Sequence, residues 1–254
     1  MVKIHETAVV SAAAHLESGV SIGPYAVIQD NVYIGRDTVI GPHAVIHSYV
    51  KLGTGNRIHA HAVIGDLPQD IGFSGDRTWV VIGDNNVIRE QVTVHRSTNK
   101  ERPTAIGSGC FMMTQSHVGH DCQIADGVIL TNCATLAGHV QIGVQAVLGG
   151  LVPVHQFVRI GCYAMVGGNT GIRKDVLPFS MVSGEPARHF RLNTIGLRRS
   201  GIRGQRYREL ETAFRMLRRG EKLDALPATP EIDLLRGWLK APSKRGLTGF
   251  SAAR

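Results

Sequence analysis

Aliphatic residues recur at every sixth position along most of the chain, and this period constrains the fold more than any other feature. From Ile4 to Ile172 the same phase contains 29 positions, of which 26 are aliphatic residues or methionine. Only Asp70, Asp76 and Lys100 interrupt it. A period of six fits neither an α-helix nor a long alternating strand, but it is typical of a parallel β-helix, where a short strand turns a corner every six residues. The sequence therefore predicts a left-handed parallel β-helix of about nine three-sided coils.

Two segments suspend this period without shifting its phase, one near residues 66–80 and the other near 96–105. We expect both to be loops that project from the β-helix, where loops on a rigid scaffold often carry binding residues. The period ends after Pro178. The chain is therefore expected to divide into a β-helix domain over residues 1–186 and an α-helical domain over residues 187–254.

Three stretches after the end of the period have helical character, namely SGEPARHFRLNTIGLRRSG, QRYRELETAFRMLRRG and EIDLLRGWLK. The second stretch places apolar residues at helical spacing and is followed by Gly220, a residue type common at helix ends. All three stretches are therefore predicted to be helical.

The positive charge is concentrated in the C-terminal part of the chain. Of the net charge of +8, residues 187–254 contribute 16 Lys and Arg against 6 Asp and Glu, whereas residues 1–186 carry 12 against 14. Such a surplus favours an acidic partner or phosphate groups at this end of the molecule.

The sequence gives no sign of secretion or of a membrane span. No apolar stretch approaches the roughly 20 residues that a membrane-spanning helix needs. The stretch MVKIHETAVV at the N-terminus lacks the apolar core of a signal peptide. The four cysteines form no CxxC pair, so neither a disulfide framework nor a zinc framework is indicated. We expect a cytoplasmic protein that neither inserts into membranes nor binds nucleic acid.

The segment HVGHDC, residues 117–122, is the strongest candidate for chemistry. All twelve histidines fall outside the inward phase of the six-residue period, so His117, His120, His139 and His155 are expected on the outside of the β-helix. Exposed histidines of a β-helix could bind zinc, as the three-histidine sites of gamma-class carbonic anhydrases do. Alternatively, His120 could act as a general base oriented by Asp121. A third reading is a surface without catalytic function, and spacing alone does not choose between the last two.

Several longer motifs resemble the family of UDP-N-acetylglucosamine O-acyltransferases, which catalyse the first step of lipid A biosynthesis. The motifs are IGDLPQD, IREQVTVHRST, HVGHDC, TNCATLAGHV, VHQF and MVGGNTG. The resemblance implies a homotrimer with active sites between neighbouring β-helices. It also implies transfer of a 3-hydroxyacyl group from acyl carrier protein to the 3-hydroxyl of the nucleotide sugar, without a cofactor or a metal.

The same resemblance assigns roles to individual residues. It makes His120 the general base, Asp121 the group that orients it, and the backbone N–H of Gly138 the donor to the oxyanion. The residues that the resemblance places at the substrates are Gln69 and Asp70 in the first loop, His117, His139, His155 and Gln156 along the cleft, Gly168 at the acyl chain, and Asn193 and Arg199 at the nucleotide. Cys122 is expected to be a packed thiol, because nothing in its setting predicts a lowered pKa.

The acceptor side departs from the family pattern at two positions. Gly72 stands where members commonly have a lysine, and Ile195 stands where they have an acid. These changes leave open an N-acyltransferase that acts on an amino nucleotide sugar. On the acyl side, Gly168 leaves room for a long chain, while Pro186 replaces a longer polar residue that some members have.

Overall fold

The computed structural model of the protein describes residues 1–252. Its strands, in chain order, are β1 Lys3–Ile4, β2 Val9–Val10, β3 His15–Leu16, β4 Ser21–Ile22, β5 Val27–Ile28, β6 Val32–Ile34, β7 Val39–Ile40, β8 Val45–Ile46, β9 Val50–Leu52, β10 Arg57–Ile58, β11 Val63–Asp66, β12 Val80–Ile82, β13 Val87–Ile88, β14 Thr93–His95, β15 Thr104–Ile106, β16 Phe111–Met112, β17 His117–Val118, β18 Gln123–Ile124, β19 Ile129–Leu130, β20 Thr135–Leu136, β21 Gln141–Ile142, β22 Val147–Leu148, β23 Pro153–Val154, β24 Arg159–Ile160, β25 Met165–Val166, β26 Ser180–Ser183 and β27 Arg188–Leu192. The helices are α1 Thr194–Arg199, α2 Gly204–Arg218 and α3 Pro230–Lys240.

Strands β1 to β25 form three parallel sheets, because each of them pairs with the strand three elements away along the chain. Strands β26 and β27 extend one of these sheets beyond β25. Within a loop-free coil the register advances by 18 residues, as in the pairing of Ile22 with Ile40 and of Leu130 with Leu148. Every third strand therefore lies on the same face of a three-sided prism. The predicted class, a left-handed parallel β-helix with C-terminal helices, is confirmed.

The aliphatic residues of the six-residue period fill the inside of the prism. From Ile22 to Ile172 they are almost completely buried, and a second row of small or β-branched residues, such as Ala44 and Val50, is buried two positions before them. Each such side chain contributes at most about 1.5–3 kcal/mol to the free energy of unfolding. Aliphatic residues of the period are exposed only at the open N-terminal end of the prism. There Ile4 is 49% exposed, because no coil stacks beneath it.

Two loops leave the prism and return in the same register. The first covers residues 67–79 between β11 and β12, and the second covers residues 96–103 between β14 and β15. Although these loops intervene, Val63 pairs with Thr93, and Thr93 pairs with His117. The side chains that follow the loops therefore point in the same directions as in an uninterrupted prism.

Tight corners join the strands, and one residue at many of these corners has a positive φ. Asp121 has φ +61° and His139 has φ +61° at corners of successive coils. Asp, Asn and His adopt this left-handed conformation more readily than most other residues. The corner conformation determines how the two residues of the HVGHDC motif, His120 and Asp121, are directed relative to each other.

The prediction of helix over SGEPARHFRLNTIGLRRSG is wrong for its first half. Residues 180–192 instead form the antiparallel hairpin of β26 and β27, and only Thr194–Arg199 is helical. Gly184 has φ +93° in the hairpin turn, and Pro186 would lack the N–H that a helix interior requires. The helices predicted in the other two stretches are confirmed, and α2 ends just before Gly220, which has φ +75°.

The helices pack on a second apolar core around Phe179, Leu197 and Leu210. After α3 the chain returns to the β-helix as residues 241–250, here called the C-terminal strap. Buried His189 accepts a hydrogen bond from Leu177 N at Nε2, and its Nδ1 lies 2.9 Å from the Thr248 carbonyl oxygen. The division of domains at residues 186 and 187 stays a prediction. Within residues 1–252, no helix is long and apolar enough to cross a membrane.

Candidate active site

His120 and Asp121 lie side by side at a corner of the prism. Nδ1 of His120 is 2.7 Å from Oδ2 of Asp121. The side chain of His120 is 13% exposed and that of Asp121 is 7% exposed. His120 thus points outward from the prism, as the period predicts, but it is sheltered from bulk water. The adjacency of the two residues in sequence is accompanied by a close contact between their side chains.

The second projecting loop holds the carboxylate of Asp121. Ser97 Oγ donates to Oδ1, Thr98 Oγ1 donates to Oδ2 over 2.7 Å, and the backbone N–H of Thr98 donates to Oδ1 over 3.1 Å. Burial alone would favour the neutral acid. The hydrogen bonds from His120, Ser97 and Thr98 nevertheless outweigh burial and lower the pKa of Asp121 below its usual value. Asp121 is therefore ionised at neutral pH.

An ionised Asp121 determines which nitrogen of His120 carries the proton. Because a carboxylate only accepts hydrogen bonds, the neutral imidazole has its hydrogen on Nδ1 and a free lone pair on Nε2. This is the tautomer that a general base needs. The contact can also stabilise the imidazolium that forms when Nε2 takes a proton.

The His120 side chain borders a groove of about 340 Å³ on the face that contains β14, β17, β20 and β23. The groove is lined by Gln69, His95, His117, Gly119, His120, Ala137, Gly138, His155 and Gln156. Six residues that the sequence assigned to the site therefore lie together here. The groove is large enough for part of a substrate, and it brings polar groups from four coils and the first loop to one place.

Gly138 lies directly against the imidazole of His120. A Cβ atom at this position would come within 2.4 Å of Cε1 and 2.5 Å of Nε2 of His120. Within residues 1–252, the backbone N–H of Gly138 donates no hydrogen bond to another backbone group. A glycine at this corner thus makes room for the ring and leaves an N–H available to a ligand.

His117 stands on the strand before the motif's corner. Its Nδ1 is 2.7 Å from Thr93 Oγ1, and its ring meets that of His95 edge to face at 5.0 Å. Burial, together with the neighbouring His95 and His120, lowers the pKa of His117 to about 4. His117 is therefore neutral at physiological pH and serves as a hydrogen-bonding group.

His95 is a groove residue that the sequence analysis missed. It is 8% exposed, and its Nδ1 has no hydrogen-bond partner among the residues that the structure describes. His95 is the last residue of β14 and lies 24 residues before Gly119, so the two residues occupy equivalent positions on adjacent coils of this face. This register is the sequence signal that could have revealed His95.

His139 lies on the other side of Asp121 from the groove. Its Nε2 is 3.7 Å from Asp121 Oδ2, and its ring stacks on Phe157 at 4.6 Å. Burial lowers the pKa of His139, although the nearby Asp121 partly opposes that shift. His139 therefore belongs to the surroundings of the catalytic pair but does not line the groove itself.

The remaining substrate residues of the sequence analysis lie outside the groove. Asp70 is exposed and accepts a hydrogen bond from Gly72 N over 2.8 Å. Asn193 caps α1 by accepting from Gly196 N, and it also donates to the carbonyl oxygen of Tyr163. Arg199 is exposed in the last turn of α1. Their roles at a substrate stay predictions.

Gly168 follows β25, which belongs to a different sheet from the strands of the groove, and Gly150 is its backbone neighbour on the adjoining coil. It does not line the groove around His120. Its predicted contact with the acyl chain also stays a prediction.

The C-terminal strap carries two cations that the sequence analysis did not place at the site. Arg245 donates from Nε to the Gln156 carbonyl oxygen over 2.8 Å and contacts the imidazole of His155. Nζ of Lys244 lies 4.1 Å from the centre of the Phe157 ring. These residues are about 90 positions away from their partners in sequence, so no local pattern indicates the contacts.

Cys122 is the packed thiol that the sequence predicts. Its side chain is fully buried, its Sγ–H donates to the Ala137 carbonyl oxygen, and burial raises its pKa to about 12. A thiol with such a pKa is a poor nucleophile. All four cysteines are free.

One cluster of metal-ligating groups occurs among residues 1–252, and it consists of His120, Asp121 and His139. Their potential ligand atoms lie within 4.8 Å of one another. However, both carboxylate oxygens already accept hydrogen bonds, and His120 Nδ1 already faces one of them. The geometry fits a hydrogen-bonded acid–base pair better than a site of three histidines around zinc.

Comparisons with known proteins identify the family of the chain. The model of the family "Udp N-acetylglucosamine O-acyltransferase; Domain 2" matches residues 175–248, and the bacterial transferase hexapeptide model matches residues 13–48 and 31–66.

Curated relatives match the chain over nearly its whole length. The chain is 46% identical over 255 residues to an acyl-[acyl-carrier-protein]–UDP-N-acetylglucosamine O-acyltransferase of Alkalilimnicola ehrlichii, with 100% of this chain and 97% of the relative covered. It is 44% identical over 257 residues to the enzyme of the same name from Thermodesulfovibrio yellowstonii, with 97% and 99% covered.

Solved structures match the fold equally well. The UDP-N-acetylglucosamine O-acyltransferase of Moraxella catarrhalis superposes with a TM-score of 0.90 at 37% identity, covering 96% of this chain and 99% of that one. The corresponding Bacteroides fragilis structure gives a TM-score of 0.91 at 34% identity, covering 96% and 98%.

Proposed function

This chain belongs to the family of UDP-N-acetylglucosamine O-acyltransferases, and from that premise we propose how the His120 groove carries out the reaction. The protein is an acyltransferase of lipid A biosynthesis that moves a 3-hydroxyacyl chain from acyl carrier protein to the 3-hydroxyl of UDP-N-acetylglucosamine. Acyl carrier protein and the nucleotide sugar are its substrates. We propose roles for individual residues mainly from one observation, the 2.7 Å contact between His120 and Asp121 beside an open groove.

The reaction begins with removal of a proton from the acceptor. Nε2 of His120 takes the proton of the sugar 3-hydroxyl, and the oxygen attacks the carbonyl carbon of the thioester. Asp121 stabilises the imidazolium that results. General-base catalysis of this kind accelerates a reaction by about 10²–10⁴-fold.

The tetrahedral intermediate needs a donor for its negative oxygen. The N–H of Gly138 is suited to this task, because it is free of other backbone acceptors and lies against His120. Collapse of the intermediate breaks the carbon–sulfur bond, and the imidazolium returns its proton to the departing thiolate. The thioester is already activated, so the mechanism requires no cysteine or serine nucleophile and no cofactor.

Along the groove, we assign His117 and Gln69 to the sugar and His155 and Gln156 to the arm that carries the acyl group. Neutral His117 can exchange hydrogen bonds with a hydroxyl group without introducing a charge. Gly168 lies further down the prism, where the absence of a side chain leaves room for a long acyl chain. Asn193 and Arg199 are proposed to reach the nucleotide of a substrate bound between two subunits.

The assembly is proposed to be a homotrimer. In one chain the groove is open to solvent on one side, and a neighbouring β-helix could complete it. The basic surfaces of α1 and α2 would steer acidic acyl carrier protein towards the groove through long-range attraction. We propose that the enzyme works in the cytoplasm, where acyl carrier protein and nucleotide sugars are available.

The relatives do not favour the two alternative functions. An N-acyltransferase would require a 3-amino sugar as acceptor, and a zinc enzyme of the gamma carbonic anhydrase type would require metal at the cluster of His120, Asp121 and His139. The specificity for the acceptor should nevertheless be measured. Gly72 replaces a lysine and Ile195 replaces an acid that family members commonly have on the acceptor side.

The decisive experiment compares acceptors at a fixed donor. We expect 3-hydroxyacyl carrier protein to acylate UDP-N-acetylglucosamine, and we expect His120→Ala to abolish turnover while the protein stays folded. Transfer to the 3-amino analogue alone would contradict the proposed acceptor. Full activity of the His120→Ala variant would contradict the proposed base. Sedimentation of the purified protein tests the trimer.

A further inference from the structure

His155 lies where two grooves of the prism meet. It lines the groove of about 340 Å³ that contains His120, and it also lines a neighbouring groove of about 700 Å³ along β20 and β23. Among residues 1–252, His155 is the only one that lines both grooves. A substrate that extends from the His120 groove into the larger one therefore passes the imidazole of His155.

Arg245 of the C-terminal strap holds this imidazole. Its Nε donates to the Gln156 carbonyl oxygen over 2.8 Å, while its Nη2 contacts Nδ1 of His155 and lies 3.2 Å from Nε2. A guanidinium only donates hydrogen bonds, so Nδ1, the nearer nitrogen, accepts with its lone pair. The hydrogen of the neutral imidazole is then on Nε2. Arg245 thus fixes both the tautomer of His155 and the position of the turn that carries Gln156.

The strap is anchored on both sides of Arg245 by contacts that do not involve its side chain. Before it, Ser243 Oγ accepts hydrogen bonds from Arg245 N over 3.2 Å and from Gly246 N over 2.8 Å. After it, the Asp175 N–H donates to the Gly246 carbonyl oxygen, and the Asp175 carbonyl oxygen accepts from Thr248 N. Backbone and hydroxyl groups therefore hold the strap, and the guanidinium of Arg245 is left to contact the groove residues.

We propose that Arg245 is a positioning residue for the acyl donor and that it acts through His155 and Gln156. The proposal rests on the proposed function, because it takes the donor from there. In the donor, the pantetheine arm and the acyl chain extend from the thioester in opposite directions, so a thioester at His120 has a long chain on either side. The junction at His155 gives one of these chains a continuous path out of the His120 groove.

An imidazole held in one tautomer presents a hydrogen-bond donor to such a chain at a fixed place. Both parts of the acyl donor carry acceptors, namely the amide carbonyl oxygens of the arm and the 3-hydroxyl of the acyl chain. Without Arg245 the ring can turn and exchange tautomers. The acyl donor would then lose a contact that is oriented before binding, and its affinity would fall.

The kinetic test uses the complete enzyme and the variants Arg245→Ala and Arg245→Lys. We expect the KM for 3-hydroxyacyl carrier protein to rise about tenfold in Arg245→Ala, since a hydrogen bond to a charged group is of that strength. The kcat and the KM for UDP-N-acetylglucosamine should change less than threefold. Lysine keeps a donor but lacks the planar fork that reaches two acceptors, so Arg245→Lys should recover part of the loss. Arg36→Ala, at an exposed arginine near the N-terminal end of the prism, is the matched control and should leave all constants unchanged.

A second acyl donor separates positioning from attraction between charges. A 3-hydroxyacyl thioester of pantetheine lacks both the acidic protein and its phosphate. If Arg245 acts through His155, the KM for this thioester rises in Arg245→Ala by the same factor as the KM for the carrier protein. A rise confined to the carrier protein would overturn the proposal, because it would show that Arg245 acts only through its charge.

Nitrogen NMR of the histidine rings tests the contact without turnover. His155→Gln identifies the resonances of His155, and we expect its Nδ1 resonance to move in Arg245→Ala while the melting temperature stays close to that of the wild type. An unchanged Nδ1 resonance, or an unchanged KM for both acyl donors, overturns the proposal and leaves the proposed function intact. An equal loss in all kinetic constants with a large fall in the melting temperature also overturns it, since Arg245 would then only fasten the strap. Absence of turnover in the wild-type enzyme would instead refute the proposed function.

Discussion

Nδ1 of His120 lies 2.7 Å from Oδ2 of Asp121, and the same oxygen accepts a hydrogen bond from Thr98 Oγ1 over 2.7 Å. The histidine is therefore oriented by a carboxylate that a separate loop keeps in place. The structure thus joins three segments: the corner of the HVGHDC motif, the loop after β14, and Gly138 on the next coil. Each of them can be altered alone.

Replacing Asp121 by Asn keeps the size of the side chain and removes its charge. An amide can donate to Nδ1 and so favour the wrong tautomer of His120, as well as failing to stabilise the imidazolium. We expect kcat to fall by about two to four orders of magnitude while the KM values change little. Steady-state kinetics measures kcat and KM. The control is Asp224→Asn, which makes the same substitution at an exposed position. A kcat within threefold of the wild type would show that Asp121 does not assist the base.

Thr98→Val removes the hydroxyl that holds Asp121 and keeps the shape of the side chain. We expect kcat to fall by about tenfold or more, which corresponds to one hydrogen bond to a charged group. Because this bond lowers the pKa of Asp121, its loss should raise that pKa, and carbon-detected NMR of the carboxyl group can follow the change. Thr98→Ser keeps the hydroxyl and should retain most of the activity. An unchanged carboxyl titration in Thr98→Val would contradict the positioning role.

Gly138→Ala places a methyl group 2.4 Å from Cε1 of His120, so the imidazole must move. Gly138 does not have a positive φ, and the backbone tolerates alanine there. We therefore expect kcat to fall more than tenfold with a melting temperature close to that of the wild type. Gly237→Ala is the control, because a Cβ atom at that helical position meets nothing within 4 Å. Unaltered kcat in Gly138→Ala would mean that the ring position is not critical.

The protein should lose stability as the pH falls from 6.5 towards 4. Burial lowers the pKa of both His117 and His189 to about 4, so the unfolded chain binds protons in this range that the folded chain does not. Stability is then fully present above pH 6.5 and decreases on acidification. At pH 5 the lowered pKa of each histidine reduces the free energy of unfolding by roughly 2 kcal/mol relative to neutral pH.

Denaturant unfolding between pH 4.5 and 7.5 measures this dependence. Nε2 of His189 accepts a hydrogen bond from Leu177 N, and Nδ1 faces the Thr248 carbonyl oxygen. Protonation of Nε2 therefore places its N–H directly against the N–H of Leu177. The variant His117→Asn should retain the part of the pH dependence that His189 causes, and its slope should be smaller than that of the wild type. A free energy of unfolding that is constant from pH 6.5 to 5 would contradict both assignments.

Most of the prism follows from the sequence because its core obeys one strict rule. The positions from Ile22 to Ile172 are buried as the six-residue period requires, and the residues that break the period, such as Asp70, lie in loops. The hairpin of β26 and β27 was missed because its residues pair with the last coil of the prism. This pairing, together with the turn at Gly184 and Pro186, favours strands over a helix.

The site was predictable only where its residues lie in short motifs. His120, His117 and Gly138 lie in motifs that carry the family resemblance, and the stacking of coils in register places them together. Ser97 and Thr98 come from a loop whose path has no period, and Lys244 reaches Phe157 only because the chain folds back after α3. Contacts across such distances depend on the whole fold and leave no local pattern.

Both projecting loops rejoin the prism in register, and this has a consequence for how such an enzyme can evolve. Adding or deleting a residue within a coil would shift the phase of every later side chain, so that aliphatic residues would face water and His120 would leave its place at the corner. Insertions and deletions within residues 67–79 or 96–103 leave the later coils untouched. Natural variation in length should therefore accumulate in these two loops, and a change of acceptor can arise there while the catalytic histidine keeps its place.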